Sequence, residues 1–276
     1  MNSYKYQNNK SKLFIMRKLF ALLVMVMVLS ACDFFAPQQA STKKAATNPD
    51  GTYIQKKHFN NDPSSPVEWK VSLKKNEKGE VVRHGLSIRY SNAGKVYEKI
   101  NYVNNKKEGK RYTYHSNGKV WKEQEYKNGR LDGTCKRYDR SGNITAEYFY
   151  KGGMVGTGLK EYTNLGKLRD QPTLRIQKVD EIRSINMYRI KASLVGEGAD
   201  RVKSVEYYEG KLIEGKFFHK NLTICNVNKN KTGVFNYEVP KGAVLDKSFN
   251  IVAVATMTSG MKLILQRKVS VSVRGV

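Results

Sequence analysis

Residues Gly109–Leu131 read GKRYTYHSNGKVWKEQEYKNGRL, and they hold two Asn-Gly pairs, Asn117-Gly118 and Asn128-Gly129, 11 residues apart. Asn-Gly is a strong hairpin signal, because a type I′ turn needs positive φ at both central residues. Between the pairs, Val120–Tyr126 is long enough for one strand of about five or six residues. Side chains alternate along a strand. Val120, Lys122, Gln124 and Tyr126 are therefore expected on one face, and Trp121, Glu123 and Glu125 on the other. The stretch predicts one β-hairpin.

The same pattern recurs on both sides. Tyr90, Tyr114, Tyr138 and Tyr162 lie 24 residues apart, and each is followed by Gly94, Gly118, Gly142 or Gly166, then Val96, Val120, Ile144 or Leu168. Tyr102, Tyr126 and Tyr150 form a further column in the first three units. A fixed period in this range marks stacked supersecondary units. The turn positions recur as Ser141-Gly142 and Gly152-Gly153 downstream, and as Ala93-Gly94 and Asn104-Asn105 upstream. No proline falls between Val67 and Gln171, so no ladder position there lacks an N–H. Successive hairpins should pair into one elongated antiparallel sheet, with the tyrosines stacked along it. Val67–Leu73 and Gly79–Val82 read as a degenerate hairpin capping one end. The fourth unit stops at Leu168 without a second turn and reads as a terminal half-repeat.

The unit Gly, four residues, Tyr, three residues, Gly, Lys or Asn, an aliphatic, five residues, Tyr resembles the MORN-type repeat, in the variant of the YwqK-type antitoxin family. The resemblance covers residues 85–168. It implies a β-hairpin scaffold that serves as a spacer or contact surface, and for some members an antitoxin role.

Residues 1–31 read as an export signal. Arg17 and Lys18 precede an apolar run, Leu19–Leu29, and Leu29-Ser30-Ala31-Cys32 follows. The run is too short to span a bilayer as a helix, and basic, apolar and small-residue regions in this order make a secretory signal. Leu-Ser-Ala-Cys resembles the lipobox of bacterial lipoproteins, which implies cleavage before Cys32 and lipidation of its thiol. Met16 is an alternative start. Two or more acyl chains give stable anchoring. The resemblance implies a bacterial outer-membrane lipoprotein facing the periplasm or the cell surface. Residues 32–65, poor in apolar side chains, read as a flexible tether.

The net charge is +26. A chain this basic is drawn to anionic surfaces. The export signal points away from nucleic acid and toward anionic envelope polymers or lipid headgroups. Lysines also protect long sheet edges from pairing. Cys135 and Cys225 fall in different predicted domains and are expected as free buried thiols. His58, His84, His115 and His219 stand singly, with no second ligand at metal spacing.

From Pro172 the period stops. Strand-like runs over Asn186–Val195, Val202–Tyr208, Lys216–Phe218, Leu222–Val227, Val234–Val239, Asn250–Met257 and Met261–Val273 predict a two-sheet sandwich. Ser204–Leu212 and the closing pair Phe249–Thr256 and Leu263–Gln266 resemble strands of bacterial immunoglobulin-like modules. The resulting fold class is all-β: an elongated antiparallel sheet of stacked β-hairpin repeats over residues 66–170, followed by an immunoglobulin-like β-sandwich over residues 171–276.

No nucleophile elbow, zinc-protease motif, P-loop or dinucleotide-binding glycine pattern occurs in the sequence. Glu123 and Glu125 share a strand face, but on an open sheet they are expected as a solvated stripe paired with Lys122 or Lys127. Arg111, Tyr112, Tyr114, Trp121 and Tyr126 are the candidate partner-binding residues, since exposed Tyr, Trp and Arg concentrate interface energy. The sequence thus predicts a non-enzymatic, membrane-anchored scaffold without metal or cofactor. It would be held to the lipid bilayer by acylated Cys32 and would bind a protein of the envelope; the alternative is a toxin-neutralising antitoxin or immunity lipoprotein. The Cys32→Ser chain should lose lipid labelling and leave the membrane fraction, or persist as a precursor. Labelling that survives the substitution contradicts the lipoprotein assignment.

Overall fold

A chain reversed at regular intervals by left-handed residues pairs each strand with the next one. The computed structural model describes residues 47–276. The expected export signal, Cys32 and the first part of the expected tether lie outside the described residues.

The first sheet is built from β1 (Tyr53–His58), β2 (Val67–Lys75), β3 (Val81–Arg83), β4 (Gly85–Tyr90), β5 (Val96–Val103), β6 (Lys106–Tyr114), β7 (Val120–Lys127), β8 (Arg130–Leu131), β9 (Gly133–Tyr138), β10 (Ile144–Lys151), β11 (Met154–Val155) and β12 (Lys160–Glu161). Its order is β1-β2-β4-β5-β6-β7-β9-β10-β11, with β3 paired to β2, β8 to β7 and β12 to β10. Every pairing is antiparallel. This is the expected meander. The upstream cap is present as the β2–β3 hairpin, joined by Asn76–Glu80. The fourth unit ends in the single bridge Tyr162↔Leu168.

The two turns of a unit differ, which corrects the expectation of type I′ at both. Asn104 and Asn105, Asn128 and Gly129, and Gly152 and Gly153 have positive φ at both positions, as type I′ requires. At the other end only the glycine is left-handed, with φ 85° at Gly118 and no positive φ at Asn117. There the His115 amide donates to the Lys119 carbonyl (2.8 Å) and the Gly118 amide to the His115 carbonyl (2.9 Å). This is the three-residue loop, a type I turn followed by a left-handed bulge residue. It recurs at Ser91–Lys95, Asp139–Asn143 and Thr163–Lys167.

The Gly–Tyr periodicity is a cross-strand pairing. Gly85 lies opposite Tyr102, Gly109 opposite Tyr126 and Gly133 opposite Tyr150. All three glycines have positive φ, 92°, 73° and 121°, a backbone conformation that favours glycine, and the facing aromatic offsets the weakness of glycine in a sheet. Each tyrosine then meets a residue of its own unit: Arg83 lies over Tyr102 (5.3 Å) and Lys107 over Tyr126 (5.1 Å). In the third unit Leu131 takes that place, and both Leu131 and Tyr150 pack on the main core.

Residues 53–58 correct the tether expectation. β1 pairs with the free edge of β2, and Thr52 beside it is buried. Edge pairing draws on backbone groups, so a segment poor in apolar side chains can join a sheet that already exists.

The rest of the chain forms β13 (Thr173–Glu181), β14 (Met187–Val195), β15 (Val202–Glu209), β16 (Thr223–Ile224), β17 (Asn226–Val227), β18 (Gly233–Glu238), β19 (Val244–Met257) and β20 (Lys262–Arg274). They make two four-stranded antiparallel sheets, β13-β14-β18-β17 and β16-β15-β19-β20. Both sheets contribute to one core: Leu174, Tyr188, Ile190 and Phe235 from the first, and Tyr207, Ile251, Ala253, Leu263 and Val271 from the second. β13 was not foreseen, because its apolar residues Leu174, Ile176 and Val179 do not keep period two. The run Leu222–Val227 divides between the sheets, β16 pairing with β15 and β17 with β18.

Lys216–Phe218 is not a strand of the sandwich. Phe217 forms a bridge with Gly156 instead, and the Phe218 amide donates to the Val155 carbonyl (2.9 Å). The segment thereby joins the end of the repeat sheet to the sandwich. Cys135, Ala146, Tyr148 and Leu159 of the repeat region share the sandwich core. Leu159 is 2% exposed, and burying one leucine contributes about 1.5–3 kcal/mol. The buried Glu161 carboxylate meets the Arg201 guanidinium at 2.8 Å.

Space alone does not exclude a side chain at Gly118, since a Cβ there meets nothing within 4 Å. The constraint is φ, which a β-branched residue resists. Gly118→Val should therefore cost on the order of 1–3 kcal/mol, read as a lower unfolding midpoint in denaturant. An unchanged midpoint contradicts the turn assignment.

Candidate contact surfaces of the repeat sheet

Register assigns each side chain of the repeat sheet to a face. One face carries the row Trp69, Arg89, Glu98, Thr113, Lys122, Arg137, Ala146, each opposite the next. It also carries Ile100, Arg111, Gln124, Cys135 and Tyr148, and then the Gly–Tyr pairs. Most burial lies on this inner face: Ile100 0%, Thr113 3%, Glu98 6%, Tyr102 6% and Cys135 0%. The long side chains of the face itself, Arg83, Lys107 and Arg111 among them, lay their apolar stems along it. The opposite, outer face carries Ile88, Lys99, Tyr112, Glu123, Lys136, Glu147 and Lys160 in one row.

The five candidate residues divide between these faces. Tyr112 and Tyr114 lie on the outer face, Arg111 and Tyr126 on the inner. Trp121 departs from simple alternation. The β6–β7 register shifts at this point, with Tyr114 opposite Val120 and Thr113 opposite Lys122, so Trp121 is the extra residue of a bulge. Its ring meets the Lys122 ammonium at 3.8 Å and the Arg137 guanidinium at 5.9 Å, and both of these belong to the inner face.

Arg111 is bound within the protein. Its guanidinium donates to Glu98 Oε2 (2.7 Å) and Gln124 Oε1 (2.8 Å). Glu98 holds the guanidinium more firmly protonated, against the opposing effect of burial. The side chains of this pair are 23% and 8% exposed. Tyr126 is half-buried, and its hydroxyl pKa is raised by burial.

On the outer face a second period appears. The Tyr138 hydroxyl donates to Glu123 (3.2 Å) and the Tyr162 hydroxyl to Glu147 (2.9 Å), while the ring of Tyr114 lies 5.8 Å from the Lys99 ammonium at the equivalent place. Glu123 also pairs with Lys110 at 2.8 Å, not with Lys122 or Lys127 as the sequence suggested. Lys122 points to the other face, and Lys110 lies on the neighbouring strand. Tyr112 lies within this row. Tyr97, which is exposed, is the extra residue of the β4–β5 bulge, with Tyr90 opposite Val96 and Arg89 opposite Glu98, and its ring lies 5.4 Å from the Arg89 guanidinium of the inner face.

The turn edges tie one unit to the next. At one edge the amides of Asn105, Gly129 and Gly153 donate to the carbonyls of Arg83, Lys107 and Leu131, at 3.0, 2.9 and 2.7 Å. At the other, Lys95 Nζ reaches the Ser116 carbonyl (3.1 Å), Lys119 Nζ the Ser141 carbonyl (2.7 Å), and Asn117 the Arg140 carbonyl (2.8 Å). His115 Nε2 lies 3.0 Å from the Tyr138 carbonyl. This histidine is a link between turns.

Cys135 and Cys225 are free thiols, and burial pushes each up to about 11. No group of His, Cys, Asp or Glu among the described residues is arranged to hold a metal ion. No helix among them is long and apolar enough to cross a membrane.

Removing Arg111 would leave Glu98 buried and unpaired, which is costly. Arg111→Ala should lose about 3 kcal/mol of stability, measured by denaturant unfolding. Trp121→Ala, at the bulge, should lose much less. Equal stability of Arg111→Ala and the parent chain contradicts the pairing described.

Three consecutive segments, residues 83–104, 107–128 and 131–151, match the MORN repeat variant. The first residue of each, Arg83, Lys107 or Leu131, accepts at its carbonyl the amide of the turn that follows the segment. No curated protein and no solved structure matches the chain. Residues 83–151 are therefore MORN-type repeats, each a β-hairpin.

Proposed function

We propose that this chain is a non-enzymatic scaffold lipoprotein of the bacterial envelope, anchored in the outer membrane through acylated Cys32 and presenting the outer face of its repeat sheet to a protein partner. The observation that carries the reading is the outer-face row. Tyr112 and Tyr114 stand there among charges of both signs, Lys99, Lys110 and Glu123, on strands held in fixed register. Tyrosines on a rigid support, flanked by groups that set partner orientation, are the usual makings of a protein contact. Arg111 and Tyr126, expected from the sequence to share this role, act in the inner packing.

The module after Pro172 is, in this reading, an immunoglobulin-like spacer. Its strand order supports the assignment: β13-β14-β18-β17 and β16-β15-β19-β20 correspond to A-B-E-D and C′-C-F-G of that fold. The leader and the lipobox cysteine support the envelope location. The antitoxin alternative differs in one outcome: the captured partner would be a protein toxic to cells that lack this chain.

A photo-crosslinking residue at Tyr112, in the chain expressed from its own locus, should capture a discrete partner in intact cells. Tyr112→Ala should abolish capture by a crosslinker at the neighbouring Lys110 without moving the unfolding midpoint, a loss of about 2 kcal/mol or more if Tyr112 is a hot spot. Undiminished capture by this variant would remove the contact from this face.

A further inference from the structure

The second strand of each repeat sets one residue at the same place on the outer-face row: Lys99 on β5, Glu123 on β7 and Glu147 on β10. In the later two units this residue is a carboxylate held between a lysine and a tyrosine. Glu123 meets Lys110 at 2.8 Å and accepts from the Tyr138 hydroxyl at 3.2 Å. Glu147 meets Lys136 at 3.7 Å and accepts from the Tyr162 hydroxyl at 2.9 Å. The first unit keeps the tyrosine, as Tyr114, but has Lys99 in place of the glutamate. Ile88 and Tyr112 lie opposite Lys99 on the neighbouring strands. No carboxylate among the described residues comes within ion-pair distance of it.

A cleft of about 370 Å³ opens at this place, lined by Lys95, Val96, Lys99, Tyr114 and the Asn117–Gly118 turn. Lys95 and Asn117 are tied to the next turns, through the Ser116 and Arg140 carbonyls. The Lys99 ammonium lies 5.8 Å from the centre of the Tyr114 ring. Burial first, and then Tyr112, raises the pKa of the Tyr114 hydroxyl, whereas Glu123 acts on Tyr138 and Glu147 on Tyr162. The Tyr114 hydroxyl keeps its proton and can donate it to an acceptor.

We infer that this cleft receives an acidic side chain of the protein partner, whose carboxylate pairs with Lys99 and accepts from Tyr114, as Glu123 and Glu147 do from their tyrosines within the chain. Charge complementarity selects this occupant. An apolar side chain would cover the ammonium and the hydroxyl without satisfying either, which is costly. A carboxylate makes charge-assisted bonds to both, and Val96 and the Tyr114 ring offer apolar contact to the methylene groups that carry it. Lys99 lies directly opposite Tyr112, so the cleft adjoins the contact residue of the scaffold reading, on which this inference rests.

The test titrates the detergent-extracted full chain with N-acetylglutamate N-methylamide and follows the side chains of Lys99 and Tyr114 by NMR. Their shifts should saturate, and the uncharged glutamine analogue should not produce them. Lys99→Gln should weaken binding about tenfold or more, the loss of one charge-assisted bond. Lys99→Glu gives the first unit the carboxylate that the later units have, so it should fold as the parent chain does and bind no probe. Lys160→Gln, at an exposed position of the same row, should leave binding within a factor of about two. No saturable shift, shifts spread evenly over the lysines, or equal weakening by Lys99→Gln and Lys160→Gln overturns the site. Tighter binding of inorganic phosphate than of the glutamate probe overturns the carboxylate assignment. A failed titration with capture intact at Tyr112 overturns this site alone, and a saturating titration without capture at Tyr112 overturns the contact reading alone.

Discussion

One hydrogen bond, repeated three times, holds the repeat region in register: the amide at the second position of each type I′ turn donates to the carbonyl that opens the repeat before that turn. The pairs are Asn105 with Arg83, Gly129 with Lys107 and Gly153 with Leu131. A lone hairpin is marginal in water, so an array of them depends on how each is tied to its neighbours. Positive φ at the turn positions presents the amides, and the Gly–Tyr pairs follow them in the ladder. The turn lysines Lys95 and Lys119 and the residue His115 carry the same continuity along the other edge. Stability in such an array is a sum of unit and nearest-neighbour terms, and its ends need caps. Here the β1–β3 segment closes one end and the sandwich core, through Leu159 and Tyr148, takes up the other.

Much of this was legible in the sequence, because the relevant signals are local. Gly and Asn at fixed intervals mark left-handed backbone, and aliphatic and aromatic columns mark strands. The period therefore predicted the meander, the half-repeat at Leu168 and the absence of helix across residues 85–168. What it missed came from non-local pairing. β1 has little apolar content and exists because β2 offered an edge. Phe217 looked like a sandwich strand but completes the junction with Gly156. The type I turns with a bulged glycine were missed because Asn117-Gly118 and Asn128-Gly129 are the same dipeptide, and only strand register separates them.

The candidate residues fared unevenly for a related reason. Strict alternation put Trp121 on the face of Glu123, but one bulge moved it beside Lys122 and Arg137. Arg111 reads in sequence as an exposed hot spot. Its commitment to Glu98 depends on a strand pairing between different hairpins. The result is a sheet with two chemically different faces. The outer one alternates charge around accessible tyrosines, and the inner one sets half-buried cations over covered rings.

The claim on which all of this rests is that the hairpins and the sandwich behave as one tied unit. Native-state hydrogen exchange of the Asn105, Gly129 and Gly153 amides tests it most directly. Amides that open only with the core exchange at the global unfolding free energy, whereas frayed turns exchange freely. The account predicts that all three amides open together with core amides such as those of Tyr207 and Ile251. Rapid exchange of the three turn amides, with the sandwich still protected, would contradict it.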